Sequence, residues 1–228
     1  MERLVAPLLA DAAAAGAKGA YLSRQPELVA RFVQLEYEER YARMARWQAA
    51  VGGIDFVDTY AAAFRRVEFL AAGGFEESLR IDSDQEFSFR LAAAGRRLVF
   101  TPAARVVHQG HAASLAAYAR KKYAIGYWKA AVLRRHPTKA LRDSHTPQLL
   151  KPQLALAPLP PLFLLPTLPF VVRALPRDLA VALAAPVLLW VRALALGLGL
   201  AVGFVRGARL PATPPGGAPL PLGSKPAP

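Results

Sequence analysis

Residues 64–108 read FRRVEFLAAGGFEESLRIDSDQEFSFRLAAAGRRLVFTPAARVVH, a glycine turn and an acidic cluster set between short apolar runs. Arg66 to Ala72 is a short helical run closed by Gly73-Gly74, residues that tolerate the left-handed turn at a helix end. An acidic cluster follows: Glu76, Glu77, Asp82, Asp84 and Glu86. Asp82 or Asp84 opens a further helix through Ala94, ended by Gly95, with Arg90 one turn beyond Glu86. Carboxylates at a helix start complement its dipole, so capping alone explains the cluster as well as chemistry does. Arg97 to Phe100 and Arg105 to His108 read as short strands around Pro102.

Outward from this stretch, the same alternation of helix and strand continues. Leu4 to Ala15 reads as a helix and Lys18 to Leu22 as a short strand. A longer helix runs from about Pro26 to about Trp47, with Leu28, Phe32, Leu35 and Met44 at helical spacing and Glu36–Arg40 as a supporting pair. Gly52-Gly53 breaks it, and Ile54 to Phe64 is strand or loop. Downstream, Ser114 to Arg135 is a basic, aromatic-rich helix stopped by Pro137. The pattern predicts an α/β domain over residues 1–150.

Charge separates the chain into parts. Residues 1–111 carry 14 basic and 14 acidic side chains, residues 112–151 nine and one, and residues 152–228 six and one, which makes up the net charge of +13. A nucleic-acid binder places its basic stripe on the folded domain. Here the excess begins where an apolar tail approaches, the pattern of a segment held on anionic lipid at the cytoplasmic face. A solvated basic helix without a partner is the plainer alternative. In the helix over 114–136, Arg120, Lys121, Lys122, Tyr127 and Trp128 are the residues suited to a membrane interface. The absence of cysteine excludes disulfides, a thiol nucleophile and a Cys-based zinc site.

The tail, residues 151–206, holds two long apolar segments. Residues 152–172 are uncharged, and residues 179–205 contain only Arg192. Each is long enough to cross a bilayer. Pro158, Pro160, Pro161, Pro166 and Pro169 argue against a regular helix in the first, and Arg192 near the middle of the second costs about 2.5–3.5 kcal/mol on insertion scales. A transmembrane helical hairpin is expected, with one amphipathic and one spanning segment as the alternative. Residues 207–228 are rich in Pro and Gly and expected to be disordered.

The order FRR, GGFEE, SDQEFSFRL, GRRLVFTPAARVVH resembles the C-terminal half of family 2 glycosyltransferases of the GT-A fold. The run YARKKYAIGYWKAAVLRRHP (118–137), with DSHTPQ (143–148), is similar to a branch of that family with membrane tails. The resemblance covers about residues 1–150 and implies transfer of a sugar from a nucleotide-sugar donor to a polysaccharide or lipid-linked acceptor at the inner membrane. It makes Asp84 the general base, with Asp82 the second candidate, because Ser83 stands where the family usually has Glu. It implies an acceptor or diphosphate contact for Arg65 or Arg66, the other of the two being a surface charge. Glu86 and Arg90 match the same motif and brace the helix more readily than they touch substrate. It implies a Mg²⁺ or Mn²⁺ cofactor, with His108 as a metal or diphosphate ligand and His111 as a weaker candidate; a hydrogen-bonded strand-end histidine is the alternative for His108. The nucleotide-binding half and its Asp-x-Asp metal motif are not found, and Asp82-Ser83-Asp84 lies on the acceptor side of the pattern. The expectation is therefore a truncated enzyme, half of a split one completed by a separate chain, or a non-catalytic membrane partner or inactive remnant.

Overall fold

A computed structural model describes residues 1–207 and Leu210 of the chain. Three strands form one sheet in the order β2-β1-β3. The central strand, β1 (Ala14–Leu22), is antiparallel to β2 (Ala62–Phe64) and parallel to β3 (Arg97–Val107). Helix α1 (Glu2–Ala10) packs on the sheet through Leu4 and Leu8. The long α2 (Leu28–Val51) follows β1, α3 (Arg66–Ala71) follows β2, and α4 (Ser83–Ala93) precedes β3. The α/β class is as expected.

Two boundaries differ from the sequence reading, for one reason. Ala14 and Ala15 were expected at the end of a helix but begin β1, whose residues Ala14–Tyr21 are all buried. Alanine and glycine favour a strand here because neighbouring groups crowd it. A Cβ on Gly16 would lie 2.7 Å from the Phe64 ring, and one on Gly19 would lie 2.4 Å from the Ala104 carbonyl oxygen. Pairing with β3 thus overrides helix propensity. The two short strands around Pro102 are one strand, with the register shifting between Lys18 and Ala20 of β1.

The core has two main clusters joined by α2. Tyr21, Met44, Phe87, Leu91 and Leu98 pack between sheet and helices, and Phe32, Phe163, Phe170, Leu188 and Leu189 pack among the helices of the C-terminal half. The second cluster is built by α5 (Leu115–Arg135), α6 (Leu150–Leu156), α7 (Pro160–Phe163), α8 (Leu168–Ala174) and α9 (Leu179–Val205). The first apolar segment is divided among α6, α7 and α8 at its prolines. Among the described residues, α9 is the one helix both long and apolar enough to cross a membrane. The tail expected to be disordered lies outside the described residues apart from Gly207 and Leu210.

Helix α9 is fastened to the domain along its length. Asp178 caps its first turn and pairs with Arg31 of α2 at 2.7 Å. Arg192 donates to Glu36 of α2 and to Gln153 of α6, so the charge costly in a bilayer is buried against a carboxylate. Glu36 also accepts from Tyr118 at 3.0 Å and Lys122 at 3.3 Å, and so serves this cluster rather than the expected pair with Arg40. Glycines then bring α9 against α5. Gly199 faces the Tyr123 carbonyl, Gly203 that of Tyr127, and Gly126 that of Leu196, each at a distance no Cβ could share. Contacts advance together along both helices, which therefore run parallel.

Candidate active site

The stretch before α4 and the first turn of α4 meet α2, α5 and residues 145–147 around a cavity of about 400 Å³. Asp58, Asp82 and Asp84 line it together with Arg40, Lys121, Lys122, Lys129 and His145. The two carboxylates singled out in the sequence therefore share one cavity, and a third joins them.

Asp84 sits in the first turn of α4, where backbone N–H groups are free to donate. Its Oδ1 accepts from Gln85 N–H at 2.8 Å and its Oδ2 from Thr59 N–H at 3.2 Å. Burial pushes its carboxyl above the usual range, the Asp58 charge adds to this, and the two N–H bonds oppose it. Asp82 occupies the N-cap position of the same helix without a side-chain capping bond, in the left-handed region at φ 66°, which only it adopts among the described non-glycine residues. Its Oδ2 is buried without a partner. Burial lifts the Asp82 carboxyl to about 7, with Asp84 assisting and Lys129 opposing. Asp58 completes the wall. Its Oδ2 pairs with Lys18, which rises from the middle of β1, while its Oδ1 is buried and unpaired. Burial pulls the Lys18 ammonium down, and Asp58 resists.

The cationic side comes from two helices. Arg40 lies over the Tyr37 ring, 4.9 Å from its centroid, and its Nη1 meets His145 Nε2 at 3.1 Å. Lys122 is tied to Glu36, and Lys129 donates to Gln85 at 2.5 Å. His145 stands on a turn in which Asp143 Oδ1 accepts from the N–H groups of His145 and Thr146. Burial and the charges of Arg40, Lys18 and Arg43 hold its imidazole well below the usual histidine range, so it is neutral at pH 7.

The remaining expected residues lie elsewhere. Arg65 donates to the carbonyls of Ala14, Leu8 and Asp11 and braces α1 on the sheet. Arg66 is exposed on α3. Arg90 bonds Glu86 and the carbonyls of Ala72 and Gly74, and Glu86 also receives Arg135 at 3.1 Å. None of these four lines the cavity; Arg65, Glu86 and Arg90 make structural bonds instead. The interfacial set is also divided: Lys122 is buried, Lys121 lines the cavity, Tyr127 backs the close approach of α9, and Arg120 is exposed.

His108 packs among Tyr21, Tyr60 and His111, and its Nδ1 accepts from Gly110 N–H at 3.2 Å. Burial, then Lys121, pulls its imidazole down; burial, then His108, pulls His111 down to about 4. Among the described residues no three His, Asp or Glu side chains form a metal-binding group. A divalent metal is compatible with the family, but the side chains present among the described residues do not fit a metal centre.

Asp58, Lys18, Arg40 and His145 were missed by sequence reasoning. A lone lysine within an Ala/Gly strand and the DSHTPQ run were the available signals.

Comparison with curated proteins and with solved structures returns no match. Residues 1–127 match the family described as "glycosyltransferase like family 2". That match covers more than half of the chain and includes both cavity aspartates of α4's first turn and cap, and the chain belongs to the family 2 glycosyltransferases.

Proposed function

We propose that the chain transfers a sugar from a nucleotide-sugar donor to a polysaccharide or lipid-linked acceptor at the cytoplasmic face of a membrane, with Asp84 as the general base. The observation that carries this reading is a carboxylate gripped by two backbone N–H groups while it faces a cavity. Such anchoring fixes the base relative to an incoming hydroxyl, and a proton acceptor must be held within hydrogen-bond reach to be effective. The acceptor hydroxyl proton passes to Asp84 as its oxygen attacks the anomeric carbon. The bond to the departing diphosphate breaks on the opposite face of that carbon. Burial and the Asp58 charge make Asp84 more basic than an exposed aspartate. Donor-side parts supplied by a separate chain belong to this proposal.

The test is transfer by membranes holding the full chain and any partner it needs. Asp84→Asn should lower kcat about 10²–10⁴-fold, the usual share of general base catalysis, with KM and Tm little changed. Unchanged activity would sink the assignment and favour a non-catalytic partner.

A further inference from the structure

Two backbone N–H groups grip Asp84, and each belongs to a segment that a lysine holds in place. One arm begins on the sheet. Lys18 lies mid-strand in β1, its backbone pinned between Ala62 of β2 and Phe100 of β3. Its ammonium is buried among the rings of Tyr21, Tyr41 and Phe56 and pairs with Asp58. Next in the chain is Thr59, whose N–H donates to Asp84 Oδ2 at 3.2 Å. The other arm begins on α5. Lys129 donates to the side-chain carbonyl of Gln85 at 2.5 Å, and the Gln85 N–H donates to Asp84 Oδ1 at 2.8 Å. Neither lysine bonds Asp84 itself.

A purely structural role accounts poorly for Lys18. An ion pair taken out of water often adds no more stability than apolar residues of the same volume. Here the other carboxylate oxygen of Asp58 is also buried without a partner, which lowers the return further. What the pair does fix is the place of Asp58, and with it the direction of the next N–H. Thr59 is exposed, so packing does not hold it. Ser88 ties the segment to α4 through the Val57 N–H at 3.0 Å, but that tether ends two residues before Thr59.

Resting on the transfer reading, we infer that Lys18, acting through Asp58, is a positioning residue for Asp84, and that Lys129, acting through Gln85, is its counterpart on the other carboxylate oxygen. With both oxygens held, the plane of the carboxylate is set before an acceptor hydroxyl arrives. Misplacement of a reacting group by about 1 Å can cost about 10²-fold in rate.

Lys18→Met alone would strand the buried Asp58 carboxylate, so the test removes both charges together, as Lys18→Met/Asp58→Leu. This variant should melt close to the parent. In membranes holding the full chain and any partner it needs, its kcat should fall about tenfold with KM unchanged, the effect of losing one hydrogen bond to a charged group. A second readout needs no transfer. In NMR spectra of the full chain with isotope-labelled threonine in neutral detergent, the Thr59 amide should shift with pH as Asp84 ionises, and Asp84→Asn should abolish that step. The double variant should lose it as well. Lys129→Met, at a partly buried residue, repeats both measurements on the other arm with labelled glutamine and the Gln85 amide as reporter. A double variant that melts and turns over like the parent would overturn the inference, as would a Thr59 step that persists in it or is missing from the parent. Transfer that survives Asp84→Asn, with the Thr59 step behaving as expected, would instead overturn the base and leave the clamp on this carboxylate standing.

Discussion

At Asp82 the backbone takes the left-handed conformation and a carboxylate oxygen is buried without a partner, an arrangement that disfavours ionisation. Its carboxyl is raised to about 7, whereas an unfolded aspartate ionises near pH 4. The folded state therefore binds a proton that the unfolded state has lost between these values. The stability that Asp82 contributes is fully present below about pH 4 and is lost as pH rises through about 7. Asp82→Asn should flatten the fall in Tm over that window and raise Tm at pH 8. About 1 kcal/mol corresponds to roughly 2–4 °C in a chain of this size. A Tm–pH curve parallel to that of the parent would show that Asp82 does not titrate there. At this scale the sequence disclosed only part of the site. Asp82 and Asp84 stand in a recognisable run, but Lys18, Arg40, Asp58 and His145 come from four distant segments that only the sheet pairing and the α2–α5 packing bring together. Arg65 and Arg90 carry the opposite lesson: a guanidinium suits phosphate, but it suits crowded backbone carbonyls equally well.

At the level of elements, the joint between α5 and α9 is set by glycines rather than by large side chains. Gly126→Ala would place a methyl 2.2 Å from the Leu196 carbonyl oxygen, and Gly199→Ala one 2.1 Å from that of Tyr123. Neither backbone can yield without separating the helices. Each change should destabilise the chain by about 1–3 kcal/mol, the usual penalty of overpacking, and speed proteolysis between α8 and α9. Unaltered proteolysis would mean that the joint is looser than described. Most helices were legible, because their apolar spacing and glycine stops are local signals. Strand β1 was legible only from Lys18 onward, since Ala14 and Ala15 are helix formers by propensity and the strand is made extended by partners more than 40 residues away. The first apolar segment was only half legible. Its prolines announced a break, but the division into α6, α7 and α8 follows from packing under α9.

Across the described residues, α2 joins the core of the α/β domain to that of the apolar helices, and both contribute to one cavity wall. A chain ending at residue 150 would remove Arg192 from Glu36 and Leu196 from the cavity. Glu36 would keep Lys122 and Tyr118 but lose Arg192, and Phe32 of α2 would lose Phe170 from its packing. Such a chain should melt well below the parent, and Glu36→Gln in the shortened chain should lower it further, because it would strand buried Lys122. A melting temperature unaffected by the truncation would show that the two halves are independent. The Glu36–Arg192 bond also bears on how such sequences change over time. A lineage that replaces Arg192 with leucine, to make α9 a better partner for lipid, leaves an acid facing one cation fewer, so the two positions are expected to drift as a pair. A related sequence with an uncharged residue at one of these positions should lack the charge at the other, and that covariation would record a contact between the α/β domain and its apolar helix.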